Sequence, residues 1–420
     1  MRTTVRSIPP PAAAAARGAD HLATAAAIGE RLVRSAVWYR GRCNWTALDA
    51  TSVRPLQRAL GPDLAAGTAG VALFLAHLAA AGDDAAVRRT ALGAIGQALA
   101  HAGQAPPDGL YSGPIGIAYA GARCGLLLGE ERLVTRAARL ARGRRPAQRE
   151  RGHDLLAGEA GTIAGLLALA RLLEDQRLVQ QAQRIGDELA GAARRGHEGW
   201  CWPPARDMHG LCGIAHGASG AAWALLELHA ATGDERHRNA AEHALDYERH
   251  WLDPAAGTWP DLRGIERRET RGGFRAPYAT GWSHGAPGIA LTRLRAWTLL
   301  GHERHRSEAS SALAATAADV EQGLLVPGAD FTLGDGLAGG AEALLLGAEL
   351  RPEGAVLAQR AGEIAASRHA GSLDGWPCGA AGTGLAPGLL HGHAGIGLFY
   401  LRLHDRSVSS PLLVGAPSSC

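Results

Sequence analysis

The sequence contains no lysine; all 43 of its basic residues are arginine. This removes Schiff-base chemistry on a lysine amine, the phosphate-binding lysine of a Walker loop and the lysine that a protein kinase needs, so ATP-dependent phosphoryl transfer is not expected. A base-composition bias explains the missing lysine more simply than adaptation does. Cysteine is sparse as well. Cys43, Cys124, Cys201, Cys212, Cys378 and Cys420 lie far apart with no C-x-x-C pair, which predicts reduced thiols in the cytoplasm in place of a disulfide framework. The first residues carry arginines and an alanine tract without a strongly apolar centre, so neither a signal peptide nor a membrane span is expected there. Nor is there an excess of one charge. With 40 acidic residues against 43 basic ones, the formal charge of +3 makes no global case for nucleic acid or an anionic membrane as partner.

What remains is a chain of 420 residues, 46% hydrophobic and 20% charged, the profile of a globular protein with a substantial core. Residues 1–20, with Pro9, Pro10, Pro11 and the alanine run, are expected to form a loose arm. The apolar spacing of Leu22, Ala25, Ile28, Leu32 and Ala36 predicts a first helix, after which Asn44-Trp45 is expected to enter a loop. Residues 411–420 are expected to be a tail.

Between these ends a G-x-x-G turn occurs seven times, at Gly67/Gly70, Gly113/Gly116, Gly158/Gly161, Gly217/Gly220, Gly285/Gly288, Gly336/Gly339 and Gly392/Gly395. Each is followed by an apolar helical stretch, such as Val71-Ala72-Leu73-Phe74-Leu75, and then by a more polar one, such as Glu235 to Tyr247. The pattern predicts an all-α fold of seven helix pairs over residues 21–410, one buried and one outer helix each. Closing the pairs into a ring would let the end repeats bury their faces and would gather the turns at one end around a cavity. The glycines have a plain structural reading, positive φ and close backbone approach where a loop meets a helix.

The last four turns carry more than glycine, and three of them carry histidine. His216, His284 and His391 each stand immediately before the first glycine, so three imidazoles are expected at one cavity, where each can titrate near neutrality. A lone histidine in such a place is more often a structural cap.

At this point the chain resembles the lanthionine synthetase cyclases. The resemblance spans roughly residues 21 to 410 and rests on the seven turns, on Ala215-His216-Gly217-Ala218-Ser219-Gly220, on Gly281-Trp282-Ser283-His284-Gly285-Ala286-Pro287-Gly288, and on Ala394-Gly395-Ile396-Gly397-Leu398-Phe399-Tyr400-Leu401-Arg402-Leu403. It implies an α/α toroid that adds cysteine thiols to dehydroalanine or dehydrobutyrine in a ribosomally made precursor peptide, closing thioether rings. It also implies catalytic roles for Asp154 and His216, the histidine protonating the enolate that follows thiol attack and the aspartate assisting proton transfer. His284 is the candidate base for the thiol. Trp282, Ser283, Asp335, His391, Arg271 and Arg275 are expected to contact the peptide.

The departures from the family pattern bear on the metal. Zinc-bearing members take a cysteine from Gly-Trp-Cys-His-Gly in the fifth turn, where this chain has Ser283. They take an adjacent Cys-His pair from the sixth, where it reads Leu333-Gly334-Asp335-Gly336. No zinc and no other cofactor are therefore expected at that place, a substitute site drawn from Cys212, His216 or His284 being the alternative. Cys201, Cys378 and Cys420 read as incidental thiols. Kinase and lyase domains are not expected in this chain, so dehydration would fall to separate enzymes.

Two arginine clusters stand out. Arg132, Arg136, Arg139, Arg142, Arg144, Arg145, Arg149 and Arg151 read as a solvated band, or as a dock for an acidic leader peptide or partner enzyme. Arg263, Arg267, Arg268, Arg271 and Arg275 lie in the longest interval between turns and are the better candidates for peptide contact. Neither cluster has the neighbouring aromatic or groove-fitting elements of a nucleic-acid site. Two other readings compete: a non-catalytic scaffold that binds the precursor or its modifying enzymes, and a carbohydrate-active ring using Asp154 and Asp335 as paired carboxylates.

Overall fold

A computed structural model describes residues 20–49, 56–143, 152–266, 276–371, 375–379 and 386–414. Among them are fourteen α-helices: α1 His21–Ser35, α2 Thr68–Ala81, α3 Ala85–Ala100, α4 Pro114–Leu128, α5 Glu131–Arg142, α6 Glu159–Leu173, α7 Gln176–Ala192, α8 Ala218–Thr232, α9 Glu235–Trp251, α10 Ala286–Leu300, α11 Glu303–Gly323, α12 Leu337–Leu346, α13 Pro352–His369 and α14 His393–His404. Every G-x-x-G turn opens an even-numbered helix from α2 to α14, and these seven form the inner layer. They are apolar on nearly every side and buried along most of their length, as Val71, Leu73, Phe74 and Leu75 of α2 illustrate.

The outer helices are amphipathic and pack one to each inner helix: α3 on α2, α5 on α4, α7 on α6, α9 on α8, α11 on α10 and α13 on α12. Among the described residues no outer helix follows α14. Its partner is α1, from the other end of the chain. The two layers also start differently. Four outer helices have side-chain caps, Asp20, Asp84, Asp175 and Asp234 accepting hydrogen bonds from first-turn amides of α1, α3, α7 and α9, whereas Glu130, His302 and Arg351 make no such bond. The inner helices have glycine at the cap and no side-chain cap bond, and the loop before the helix supplies acceptors. The Glu159, Ala218, Leu337 and His393 amides donate to the carbonyls of Gly152, Leu211, Asp330 and Ala386.

The seven turns are joined edge to edge by backbone hydrogen bonds. Leu64 and Ala65 amides donate to Tyr111, Tyr111 and Ser112 to Leu156, Leu155 and Leu156 to Ala215, Ala215 to Ser283, Ser283 to Gly334, Gly334 to Leu390, and Leu389 and Leu390 to Ala65. The last bonds return to the first turn.

The glycines make this contact possible through close backbone approach, one of the two reasons expected; the other, positive φ, does not apply. The seven cap glycines have φ between −93° and −163°, and the second glycine of each turn is helical. Both positions lack room. A Cβ on Gly70, Gly116, Gly161, Gly220, Gly288, Gly339 or Gly395 would fall within 2.2 Å of a backbone carbonyl oxygen in the loop of its own turn. Close approach alone excludes every other residue.

Two expectations need correction. The stretch around Asn44-Trp45 is not loop: β1 Val37–Tyr39 pairs with β2 Arg42–Asn44, and β3 Thr46–Asp49 with β4 Leu56–Ala59. Arg40 and Gly41, both at positive φ, make the tight turn between β1 and β2. A third hairpin joins β5 Arg194–Gly196 to β6 Gly199–Cys201. The expected tail is also partly packed. Leu412, Leu413 and Val414 are buried, and Tyr111 Oη donates to the Pro411 carbonyl at 2.7 Å; residues 415–420 and the arm through residue 19 lie outside the described residues. Among the described helices none is long and apolar enough to cross a membrane.

Gly161→Ala is expected to lower stability by about 3–5 kcal/mol, because its Cβ would lie 1.9 Å from the Leu155 carbonyl oxygen. Gly191→Ala, in α7 with nothing within 4 Å of the added methyl, should instead be neutral or gain up to about 1 kcal/mol. Denaturant midpoints of the two variants check the contrast, and equal losses would refute the role given to close approach.

Candidate active site

The third and fourth turns bring Asp154 and His216 together. Asp154 Oδ1 accepts from the Ala157 amide at 2.6 Å, which fixes the carboxylate at the mouth of α6, and Oδ2 lies 3.0 Å from His216 Nδ1. A carboxylate only accepts, so Nδ1 carries the hydrogen and Nε2 is left to exchange a proton with something outside. With 38% of its side chain exposed, His216 is reachable. Both of the Asp154 oxygens are already engaged, which leaves this carboxylate badly placed for the glycosidase scheme.

Beneath His216 the fourth turn is fastened from the outer layer. Glu248 of α9 accepts from the Gly213 and Ser219 amides through Oε1, at 2.8 and 3.0 Å, and from Ser219 Oγ through Oε2 at 2.5 Å. Its charge is met by Arg293 of α10, whose Nη1 lies 3.2 Å from Glu248 Oε2 and whose Nε lies 2.6 Å from Glu308 Oε2 on α11. Both Glu248 and Arg293 are fully buried, so removing either would strand a charge. Sequence reasoning missed this support, since Glu248 lies in a stretch dense with charged residues and resembles a solvated position.

His284, from the fifth turn, stacks on His216 with ring centroids 5.5 Å apart. It is only 6% exposed. Burial, with the Arg263 guanidinium and His216 adding to it, pushes this imidazole down to about 4. A thiol near 8.5 would surrender its proton to such a group at a cost of about 6 kcal/mol. His284 is therefore a poor base for the thiol, and its neutral ring is better described as a wall beside His216.

The other expected contacts scatter. His391 pairs with Asp335 of the sixth turn, Nδ1 to Oδ2 3.8 Å, and both are about half exposed. Among the described residues the ring contacts of the site join His216 to His284 and do not include His391. Trp282 is a correction: at 0% exposure it is packed edge-on against Tyr111, ring centroids 5.5 Å apart, and belongs to the core. Ser283 is 6% exposed. Arg271 and Arg275 lie outside the described residues, as do Arg144, Arg145, Arg149, Arg151, Arg267 and Arg268. Arg263 of the same cluster is described and is held bidentate by Asp261, with contacts from 2.6 to 3.1 Å.

A cavity of about 840 Å³ opens beside the pair. Asp154 and His216 lie on its edge, and Trp202, Pro203, Pro204 and Leu211 from the segment between β6 and α8 form an apolar wall. His153 and Glu159, paired at 3.0 Å, add a polar side. The Trp-Pro-Pro wall was also missed; the Trp-Pro-Pro run is visible in sequence, but its placement over the third turn is tertiary.

The residues present do not fit a thiolate zinc site. Gly334 offers no side chain, and the His391 ring occupies the space one would need, its Cε1 2.4 Å from the Cβ that Gly334 lacks. Ser283 and Asp335 supply oxygen donors only. The proposed substitute is no better, for burial and the neighbouring Glu248 hold the Cys212 thiol far above its ordinary range. The five described cysteines are all free and buried.

The model of the lanthionine synthetase C-like proteins matches residues 58–413. The chain belongs to this family. Its structure is similar to that of nisin cyclase, with a TM-score of 0.60 and 17% identity over 82% of this chain and 88% of that one. It is also similar to a GH76 α-mannanase from Bacteroides thetaiotaomicron, with a TM-score of 0.51 and 10% identity over 92% of this chain and 96% of that one. Comparison with curated protein sequences finds no significant match. At these identities the structural likenesses establish the helical toroid architecture and nothing about the chemistry.

The neutral state of His284 has a consequence for stability. Its folded value lies below the ordinary 6.5, so between about pH 6.5 and 4 the unfolded chain binds more protons and stability falls as the pH drops. The His284 ring resonances should titrate with a midpoint near 4, and His284→Asn should flatten the acid limb of a stability–pH curve. A midpoint near 6.5 would place the ring in water and refute the wall assignment.

Proposed function

We propose that this protein is a cyclase that closes thioether rings in a ribosomally made precursor peptide, working without zinc and after dehydration by separate kinase- or lyase-type enzymes. The observation that carries the reading is the Asp154–His216 pair, 3.0 Å apart on the edge of a cavity of about 840 Å³, in a member of the lanthionine synthetase C-like family.

Proton movement fixes the roles. The peptide thiol gives its proton to His216 Nε2, and the sulfur attacks Cβ of the dehydroamino acid, forming the S–Cβ bond and leaving an enolate. The His216 imidazolium, stabilised by Asp154, then returns the proton to Cα. The net change is addition of S–H across the Cα=Cβ bond, with no oxidant and no leaving group. A peptide cysteine near 8.5 is only a few per cent thiolate at neutral pH, yet the thiolate is a strong nucleophile, so a positioned base replaces the activation that a metal would give. The apolar wall at Trp202 to Pro204 holds the core peptide and turns proximity into rate.

The Gly334–His391 contact also favours a second reading, a non-catalytic scaffold in which the His391 ring takes the space of a side chain at position 334. One experiment separates the two. With a dehydrated precursor and chelator-treated protein, free thiol should disappear, and His216→Ala and Asp154→Asn should each slow the loss by about 10²–10⁴-fold. His284→Ala should cost less than about tenfold. Unchanged rates in the first two variants would remove the acid–base assignment, and tight binding without thiol loss would establish the scaffold.

A further inference from the structure

Away from the turns, two outer helices meet around a group of polar atoms that the proposed chemistry does not use. His302 is the N-cap of α11 and makes no capping bond with its side chain. His305, one helical turn on, faces the same way, and the two rings stack at 5.7 Å. Opposite them stands Glu242 of α9, its Oε1 3.5 Å from His302 Nδ1. Ligand atoms of the three residues lie within 4.8 Å of one another, and among the described residues no other trio of histidine, cysteine or carboxylate groups does this.

The environment of these atoms is unusual. His305 is 0% exposed, and neither of its ring nitrogens has a hydrogen-bond partner. Glu242 Oε1 is likewise buried without one. A buried imidazole with two orphaned nitrogens is costly unless something fills the gap. The spacing says what would. Four-coordinate zinc with bonds of about 2.1 Å sets its ligand atoms about 3.4 Å apart, close to the separation between Glu242 Oε1 and His302 Nδ1.

We propose that Glu242, His302 and His305 bind a divalent transition-metal cation with borderline ligand preference, such as zinc or cobalt, which braces α9 against α11. Two imidazoles and one carboxylate suit that class better than calcium or magnesium, which take oxygen donors. Two arginines compete for the carboxylate: Arg238 Nε lies 3.6 Å from Glu242 Oε1 and Arg304 Nη2 lies 3.7 Å from Oε2. Each has another acidic neighbour, Arg238 at Glu235 (3.2 Å) and Arg304 at Asp246 (3.9 Å), so metal entry leaves neither without a partner. The brace lies in the outer layer and is independent of the cyclase reading.

The test uses metal-free full-length protein and zinc chloride. Equilibrium dialysis should show one tightly held equivalent, and the Tm should rise by a few degrees at saturating metal. Cobalt in place of zinc should give the visible absorption of a low-symmetry four-coordinate site. His302→Ala, at a residue with 39% of its side chain exposed, and Glu242→Gln should each weaken binding at least tenfold while the metal-free circular dichroism spectrum is kept. His391→Ala, in the seventh turn, should bind as the parent does. Absence of a saturable equivalent, binding unchanged in both outer-layer variants, or binding lost in His391→Ala would overturn the proposal.

Discussion

The fold depends on one steric allowance: the turns can bond edge to edge only because two positions in each of them have no side chain. Leu155 illustrates the economy. Its amide is spent on the next turn, at Ala215, and its carbonyl oxygen sits where Gly161 would carry a Cβ. Each inner helix thus starts against its neighbour's loop, and the first residues of all seven helices lie at one end of the molecule. Side chains placed beside the cap glycine inherit that position. His216 and His284 stack because their turns are hydrogen-bonded neighbours, Ala215 to Ser283.

That frame is held from outside by ionic contacts, not by more apolar packing. Glu248 reaches inward from α9 to the fourth turn, Arg293 reaches outward from α10, and Glu308 of α11 completes the set. Two further buried pairs join neighbouring inner helices, Arg295 of α10 with Glu227 of α8 and Arg402 of α14 with Glu342 of α12. Buried ions contribute little net stability after desolvation, but they tolerate few alternative geometries. In a wall of alanine, leucine and glycine, these directional contacts add to the glycine turns in defining how one helix registers on the next.

The seven turns, the alternation of buried and outer helices and the Asp154–His216 pair were all legible in the sequence. They rest on short local patterns and on a motif frame that places residues by position. What escaped was tertiary in origin. Of the two reasons read for the glycines, positive φ and close approach, only the second holds, because G-x-x-G specifies small residues without saying whether φ or space is the need. His284 was read as a base because its neighbours in sequence do not reveal that it is buried. Trp282 was assigned to the peptide although its indole packs on Tyr111, three turns away in sequence order but adjacent in the core. Glu248, His302 and His305 sit in strongly polar helices whose sequence gives no sign that one side faces another helix and not water.

The pairing of α1 with α14 bears on how the molecule is made. Synthesis releases α1 first, with the apolar face of Ala25, Ile28 and Leu32 uncovered, and its partner emerges only after the six other helix pairs. Those pairs can form locally as they appear, since each outer helix follows its inner one in sequence, whereas the last layer requires the largest loop closure in the chain. Final assembly is therefore a late, non-local event, and until it occurs both edges of the unfinished array remain adhesive surfaces on which another copy of the chain could dock.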